Sequence, residues 1–196
     1  MRAAFLALVL LAGCAAQPVA PKPETPRLES PEQALLRRAT ELAVLGFGRH
    51  CLNGVGRPPV MQESLKSDGY APVPAAETPS APFQHEFWRA PGQPFVISLV
   101  ERGAGCTVIV PRADGELAAS MLQRAMQAAA DGGGNVARME PEAGPAEEGW
   151  RDERYEVRPR QGGVVMEVRL RVNSRDPALP ALILVASIRR DSATRT

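Results

Sequence analysis

The chain has 196 residues, with 23 Lys and Arg side chains against 22 Asp and Glu, so its formal net charge is +1. A nearly neutral chain is a poor candidate for non-specific nucleic-acid binding, which depends on neutralising many phosphates, and we expect no nucleic-acid partner. No segment recurs at a fixed period, which argues against a solenoid.

The N-terminus combines a positive charge, an apolar stretch and a cysteine. Arg2 precedes an apolar run over residues 3–12, which is too short to cross a bilayer because that takes ~20 residues. Residues 10–14 then read Leu-Leu-Ala-Gly-Cys. The pattern resembles the signal peptide and lipobox of bacterial lipoproteins. This resemblance implies that residues 1–13 are removed and that Cys14 carries the lipid.

The residue after this cysteine is Ala15 rather than aspartate. In lipoproteins of Gram-negative bacteria this implies delivery to the outer membrane, so we expect a lipid anchor at its periplasmic face. Residues 14–29 are proline-rich and form the predicted tether. At ~3.1 Å per residue the tether keeps the domain within ~45 Å of the membrane. The folded domain is predicted over residues 30–191, with a disordered tail over residues 192–196.

Two further cysteines, Cys51 and Cys106, remain once Cys14 is lipidated. In the oxidising periplasm that the resemblance implies, an even pair of thiols predicts one disulfide. The competing interpretation makes Cys106 a nucleophile beside His50 or His85. A free reactive thiol fits that compartment poorly, so the disulfide is favoured.

Helix signals dominate the start of the domain. Residues 30–33 read Ser-Pro-Glu-Gln, a capping box with proline at the first helical position, and predict a helix to about Leu52. A second, shorter helix is predicted over residues 58–68, and the proline-rich residues 71–82 predict a surface loop. Apolar alternation and turn signals then predict strands over residues 84–89, 94–101 and 106–110, the last two joined by a turn over residues 102–105.

The second half of the domain repeats this alternation of helix and strands. Asp114 predicts the N-cap of an amphipathic helix that ends at the Asp-Gly-Gly-Gly-Asn sequence of residues 131–135. Residues 142–149 predict an acidic loop. Strands are predicted over residues 135–140, 150–158, 163–173 and 181–188, the second and third forming a hairpin. Together the elements predict an α+β domain of two layers, an antiparallel sheet with helices packed on one face.

The residue types of known catalytic sites are sparse. No closely spaced set of metal ligands occurs, and no glycine-rich phosphate loop leads into a helix, so we expect no metal, cofactor or catalytic residue. His50 lies near a predicted helix end, and His85 lies on a predicted edge strand. Structural roles are favoured for both histidines, and Trp88 and Trp150 are expected to close edges of the core.

Arginines at alternate positions of the last strands form the candidate partner-binding site. Arg169 and Arg171 share one side of their strand, and neighbouring strands could add others, so the predicted set is Arg154, Arg158, Arg169, Arg171 and Arg189. A cationic sheet face would suit an envelope protein or another anionic envelope component. The alternative is an ordinary solvated face on which arginines alternate with residues such as Glu167.

A second resemblance covers about half of the domain. The spacing of Cys51-Leu52, Gly69-Tyr70, Trp88 and Cys106-Thr107-Val108 is similar to that of small lipoproteins of Gram-negative bacteria. The leading prediction is a non-catalytic outer-membrane lipoprotein that presents a periplasmic binding or assembly domain. One alternative is a module that binds a small lipid or glycan between the helices and the sheet. The other is a hydrolase that uses His50 or His85.

Overall fold

A computed structural model describes residues 29–74, 85–100, 104–140, 149–158, 160 and 164–189. Several predicted segments lie outside the described residues: the signal peptide, the tether up to residue 28, most of the loop 71–82, turn residues 102–103, the acidic loop 142–148 and the tail 192–196.

The described elements alternate between helices and antiparallel strands. The helices are α1 (Pro31–Gly46), α2 (Pro58–Ser67) and α3 (Gly115–Asp131), and a π-helical segment, Phe47–Leu52, continues α1. The strands are β1 (Ala71–Pro72), β2 (His85–Arg89), β3 (Val96–Val100), β4 (Gly105–Val110), β5 (Asn135–Met139), β6 (Trp150–Arg158), β7 (Met166–Asn173) and β8 (Leu182–Ile188).

The predicted capping box begins α1. The Ser30 hydroxyl accepts from the Gln33 amide at 3.2 Å, and the Gln33 side chain accepts from the Ser30 amide at 3.0 Å. These reciprocal bonds satisfy amide donors that a helix start otherwise leaves open. The helix reaches Leu52 as predicted, but its last residues wind as a π-helix, which sequence periodicity did not indicate. The segment buries Phe47, His50 and Cys51.

The strands form one antiparallel sheet in the order β1-β2-β3-β4-β8-β7-β6-β5. Each half of the chain supplies helical structure followed by four strands, and β4 pairs with β8 at the centre. The strand order of the second half therefore mirrors that of the first. This strand order is not evident from the sequence.

The helices pack on one face of the sheet, so the α+β fold with two layers is confirmed. Alternate residues of the central strands, such as Val108, Val168 and Leu184, have no solvent exposure and meet the helices in a single core. Leu122 of α3 belongs to the same core. Burial of this apolar face is the main favourable contribution to folding. The other face of the sheet has no described helix on it.

Cys51 and Cys106 are bonded, as predicted, with their sulfur atoms 2.01 Å apart. The bond joins the π-helical segment to β4, and both residues are completely buried. It therefore ties the helical layer to the middle of the sheet.

Several boundaries differ from the predictions. The predicted loop 71–82 begins with the short strand β1, which pairs with Trp88 and Arg89 of β2 and does not reach His85. Gly105 belongs to β4 rather than to the preceding turn, and β7 begins at Met166 rather than at residue 163. Strand pairing decides these limits, and local composition does not reveal it.

Candidate binding surface

The sheet register brings all five predicted arginines to the face that lacks helices. Arg154 on β6 lies directly opposite Arg169 on β7, and Arg171 lies opposite Asp152. Successive residues of a strand lie on opposite faces of the sheet, so Arg158 lies on the same face as Arg154. Arg189 continues the alternation just beyond β8. We call Arg154, Arg158, Arg169, Arg171 and Arg189 the arginine face.

Carboxylates from the same strands partly neutralise the arginine face. Asp152 accepts from Arg171 Nε at 3.0 Å and also contacts Arg169. Glu167 accepts from Arg154 Nε at 2.9 Å. Glu156 accepts from Arg158 Nε at 2.7 Å and contacts Arg189. Among the residues that the structure describes, three carboxylates thus contact these five guanidiniums.

These ion pairs keep their carboxylates charged. Partial burial would raise the pKa of Asp152, but hydrogen bonds from Arg169 and Arg171 outweigh it and hold the pKa below its ordinary value. The hydrogen bond from Arg158 lowers the pKa of Glu156. Both carboxylates are therefore ionised at neutral pH. Their role was not predicted, although alternation along residues 150–158 places both carboxylates on the same side of β6 as Arg154.

Trp150 lies at the end of the arginine face, half-buried, rather than closing an edge of the core as predicted. The guanidinium carbon of Arg171 lies 4.7 Å from the centre of its ring, a cation–π contact. The other tryptophan, Trp88, is 1% exposed and belongs to the core itself.

An apolar band adjoins the arginine face on the same side of the sheet. Val96, Ile109 and Ile183 follow one another across β3, β4 and β8, and Val185 lies opposite Thr107. We call Val96, Ile109, Ile183 and Val185 the apolar band, and all four side chains are half-buried. The helix-free face therefore combines aliphatic side chains, arginine and tryptophan.

A separate polar cluster surrounds His50 in the helical layer. His50 is 2% exposed, its Nδ1 lies 2.8 Å from Ser64 Oγ, and its Nε2 lies 3.3 Å from Asp68 Oδ2. A carboxylate can only accept, which places the ring proton on Nε2 and lets Nδ1 accept from the serine hydroxyl. The partners of His50 were not predicted, although Ser64 and Asp68 are four residues apart and so share one side of α2.

The His50 cluster has the residue types of a nucleophilic site but not its surroundings. Acyl transfer also needs donors aimed at the developing oxyanion. Ser64 lies inside α2, where the neighbouring backbone amides are used in helix hydrogen bonds. The geometry therefore supports a structural role, in which His50 joins the π-helical segment to α2.

His85 lies on the opposite side of the sheet from His50. Its Nδ1 is 2.9 Å from the hydroxyl of the buried Ser98, and its ring stacks on Phe87 with centroids 6.0 Å apart. The structure therefore does not bring the two histidines together. Among the described residues, no group of three or more metal-ligating side chains occurs, and none of the helices is long and apolar enough to cross a membrane.

Comparisons with protein-family models, curated proteins and solved structures found no match to this chain.

Proposed function

We propose that the protein is a lipid-anchored envelope protein whose arginine face binds an acidic patch of a partner protein. Cys14 would hold it at the periplasmic face of the outer membrane, and the tether would leave the domain free to reach its partner. The observation that carries the proposal is the helix-free sheet face, where five arginines and three carboxylates of the described strands lie beside the apolar band.

The composition of this face fits a protein partner. Arginine and tryptophan are enriched at protein interfaces, where a central apolar area is surrounded by polar groups. Arg158 and Arg189 keep 54% and 43% of their side chains exposed, so both can turn to a partner's carboxylate at little cost. Exposed ion pairs of this kind contribute only ~0–1 kcal/mol each to folding.

The alternative of a lipid or glycan between helices and sheet has less support. Val108, Leu184 and Leu122 belong to one buried cluster at that interface and have at most 1% exposure. A ligand there would have to displace tightly packed side chains. The hydrolase alternative has less support, because Ser64, the hydroxyl beside His50, lies inside α2, where the neighbouring backbone amides are used in helix hydrogen bonds.

The test compares binding by the full-length protein, purified in mild detergent, and by a double charge reversal, Arg169→Glu with Arg171→Glu. An envelope protein retained by the natural chain should lose on the order of tenfold or more in affinity for the variant. Its binding should also weaken as salt rises. Arg124→Glu, on the exposed side of α3, is the matched control and should retain the partner.

A second variant distinguishes lost binding from misfolding, because Arg169→Glu with Arg171→Glu removes both arginine partners of Asp152. Arg158→Glu with Arg189→Glu changes more exposed residues and should also weaken binding. Equal retention of every envelope protein by the natural chain and by both folded variants would remove the arginine face from the proposal.

A further inference from the structure

We propose that the outer edge of α1 is a docking seam for an amphipathic helix of a partner protein, with an acidic residue of that helix facing Arg38. The seam consists of Leu35, Arg38, Leu42 and Leu45. It lies in the helical layer, on the other side of the molecule from the arginine face. The proposal is therefore independent of the proposed function and concerns a second interaction surface.

The spacing of the seam is that of a helix–helix contact. Its residues follow one another at intervals of three, four and three, which keeps them on one narrow side of α1. This is the a/d spacing through which helices pack knobs into holes. Leu35 and Leu45 lie ~15 Å apart along the axis, enough for two turns of a partner helix to rest between them.

The leucines at both ends of the seam are unusually exposed. Leu35 is 70% exposed and Leu45 is 64% exposed, the highest values among the large apolar side chains of the described residues. The side of α1 that faces the core is formed by other residues, including Ala43 and Val44. Leu42 is half-buried and also packs against the core, but the contacts among the described residues do not account for Leu35 and Leu45.

Two cavities beside α1 provide room for the side chains of a partner. One, of about 290 Å³, is lined by Leu35 and Pro94. The other, of about 310 Å³, is lined by Leu45 and Phe95. The adjacent residues Pro94 and Phe95 form the wall opposite α1, so the cavities follow one another along the seam. Knobs from a docked helix could enter both.

The second cavity also offers a polar contact. Tyr70 lines it, is 7% exposed, and its hydroxyl has no hydrogen-bond partner within the described part of the chain. Burial raises the pKa of Tyr70 to about 12, so the hydroxyl keeps its proton at neutral pH. It can donate to a carbonyl or carboxylate of the docked segment.

The charges along α1 indicate the sign of the charge that the partner helix should carry. Arg37 pairs with Glu29 and Glu41, and Arg49 pairs with Asp68. Arg38 is exposed and has no ion-pair partner among the residues that the structure describes. A docked helix is therefore favoured when it brings a carboxylate to this position. A second copy of the seam would bring three leucines and an arginine, and no carboxylate.

Site-specific photo-cross-linking of the full-length protein in cells tests the proposal. We place p-benzoylphenylalanine at Leu45 and, as the control, at Gln123 on the exposed side of α3. The expected product joins position 45 to another protein, through a segment with apolar residues spaced three and four apart and an acidic residue between them. A product with a second copy of this chain, a segment without that spacing, or a yield no higher than at position 123 would overturn the proposal.

Charge variants test the role of Arg38. Arg38→Glu should lower the yield at position 45 roughly tenfold, whereas Arg38→Lys should preserve most of it. Equal yields for the two variants would overturn the acidic contact. The yield should be unchanged by Arg169→Glu with Arg171→Glu, so failure of the arginine face and failure of the seam are distinguishable.

Discussion

His50 is the residue whose surroundings couple folding most directly to pH. Burial lowers the pKa of His50 below its ordinary value of 6.5, against the opposing effect of Asp68. The unfolded chain therefore binds a proton at this histidine before the folded chain does, and the free energy of unfolding falls as pH drops below about 6.5. We expect a lower midpoint of urea unfolding at pH 5.5 than at pH 7.5. In the variant His50→Gln, the midpoints at these two pH values should differ less.

The matched control for this prediction is His85→Gln, which removes the other histidine. A pH dependence that disappears equally in both variants would contradict the assignment to His50. Asp152 and Glu156 act in a separate range, because their pKa values are lowered by arginines. The stability that they contribute is present above their ordinary values of 3.8 and 4.5 and is lost as pH falls further.

The sequence predicts which arginines share a face of the sheet but not which residues they contact. Alternation in two strands was sufficient to group Arg154 with Arg158 and Arg169 with Arg171. The pairing of Asp152 with Arg171 depends on the register between β6 and β7. That register is set by contacts between residues far apart in the chain, so local sequence does not predict it. The neighbours of His50 were missed for the same reason, since Ser64 and Asp68 reach it from a different helix.

Among the elements, the start of α3 depends on a close approach to the sheet. A Cβ atom at Gly115 would lie 2.3 Å from Cγ1 of Val172 on β7. Valine is branched at Cβ and cannot turn away freely, so either α3 or β7 must shift. We predict that Gly115→Ala lowers the free energy of unfolding by about 1–3 kcal/mol, measured by urea denaturation.

Gly48 supplies the control for this substitution. It lies in the π-helical segment, and a Cβ atom there would meet nothing within 4 Å. Gly48→Ala should therefore be neutral or stabilising by up to ~1 kcal/mol, since alanine has the higher helix propensity. Equal destabilisation by the two substitutions would contradict the assignment of the Gly115→Ala effect to contact with Val172.

Element limits were predictable where a local chemical signal exists. The capping box of α1 and the Asp114 cap of α3 both place the helix start at the observed residue. The π-helical winding and strand β1 carry no such signal. β1 is a two-residue strand that contains Pro72, and it exists only because β2 lies beside it. Composition alone therefore made it part of a loop.

For the whole molecule, the disulfide connects the helical layer to the centre of the sheet. Cys51 and Cys106 are 55 residues apart, and closing a loop of that length restricts the unfolded chain. On the chain-entropy model the restriction amounts to about 4 kcal/mol. We predict that Cys51→Ala with Cys106→Ala lowers the midpoint of thermal unfolding by roughly 8–16 °C, measured by circular dichroism. Cys14→Ala is the control and should leave the midpoint unchanged.

The same pair of thiols makes the export of the whole protein testable. If residues 1–13 direct the chain to the periplasm, Cys14 should incorporate an alkyne-labelled fatty acid, and Cys51 and Cys106 should resist alkylation in intact cells because they are paired. Cys14→Ala should lose the label and leave the outer membrane, yet keep both thiols protected. A chain without residues 1–13 should remain in the cytosol, where reducing conditions leave both thiols open to alkylation. If both thiols were protected in that truncated chain, disulfide formation would not depend on export. If the natural chain carried no label, the prediction that Cys14 is lipidated would be wrong.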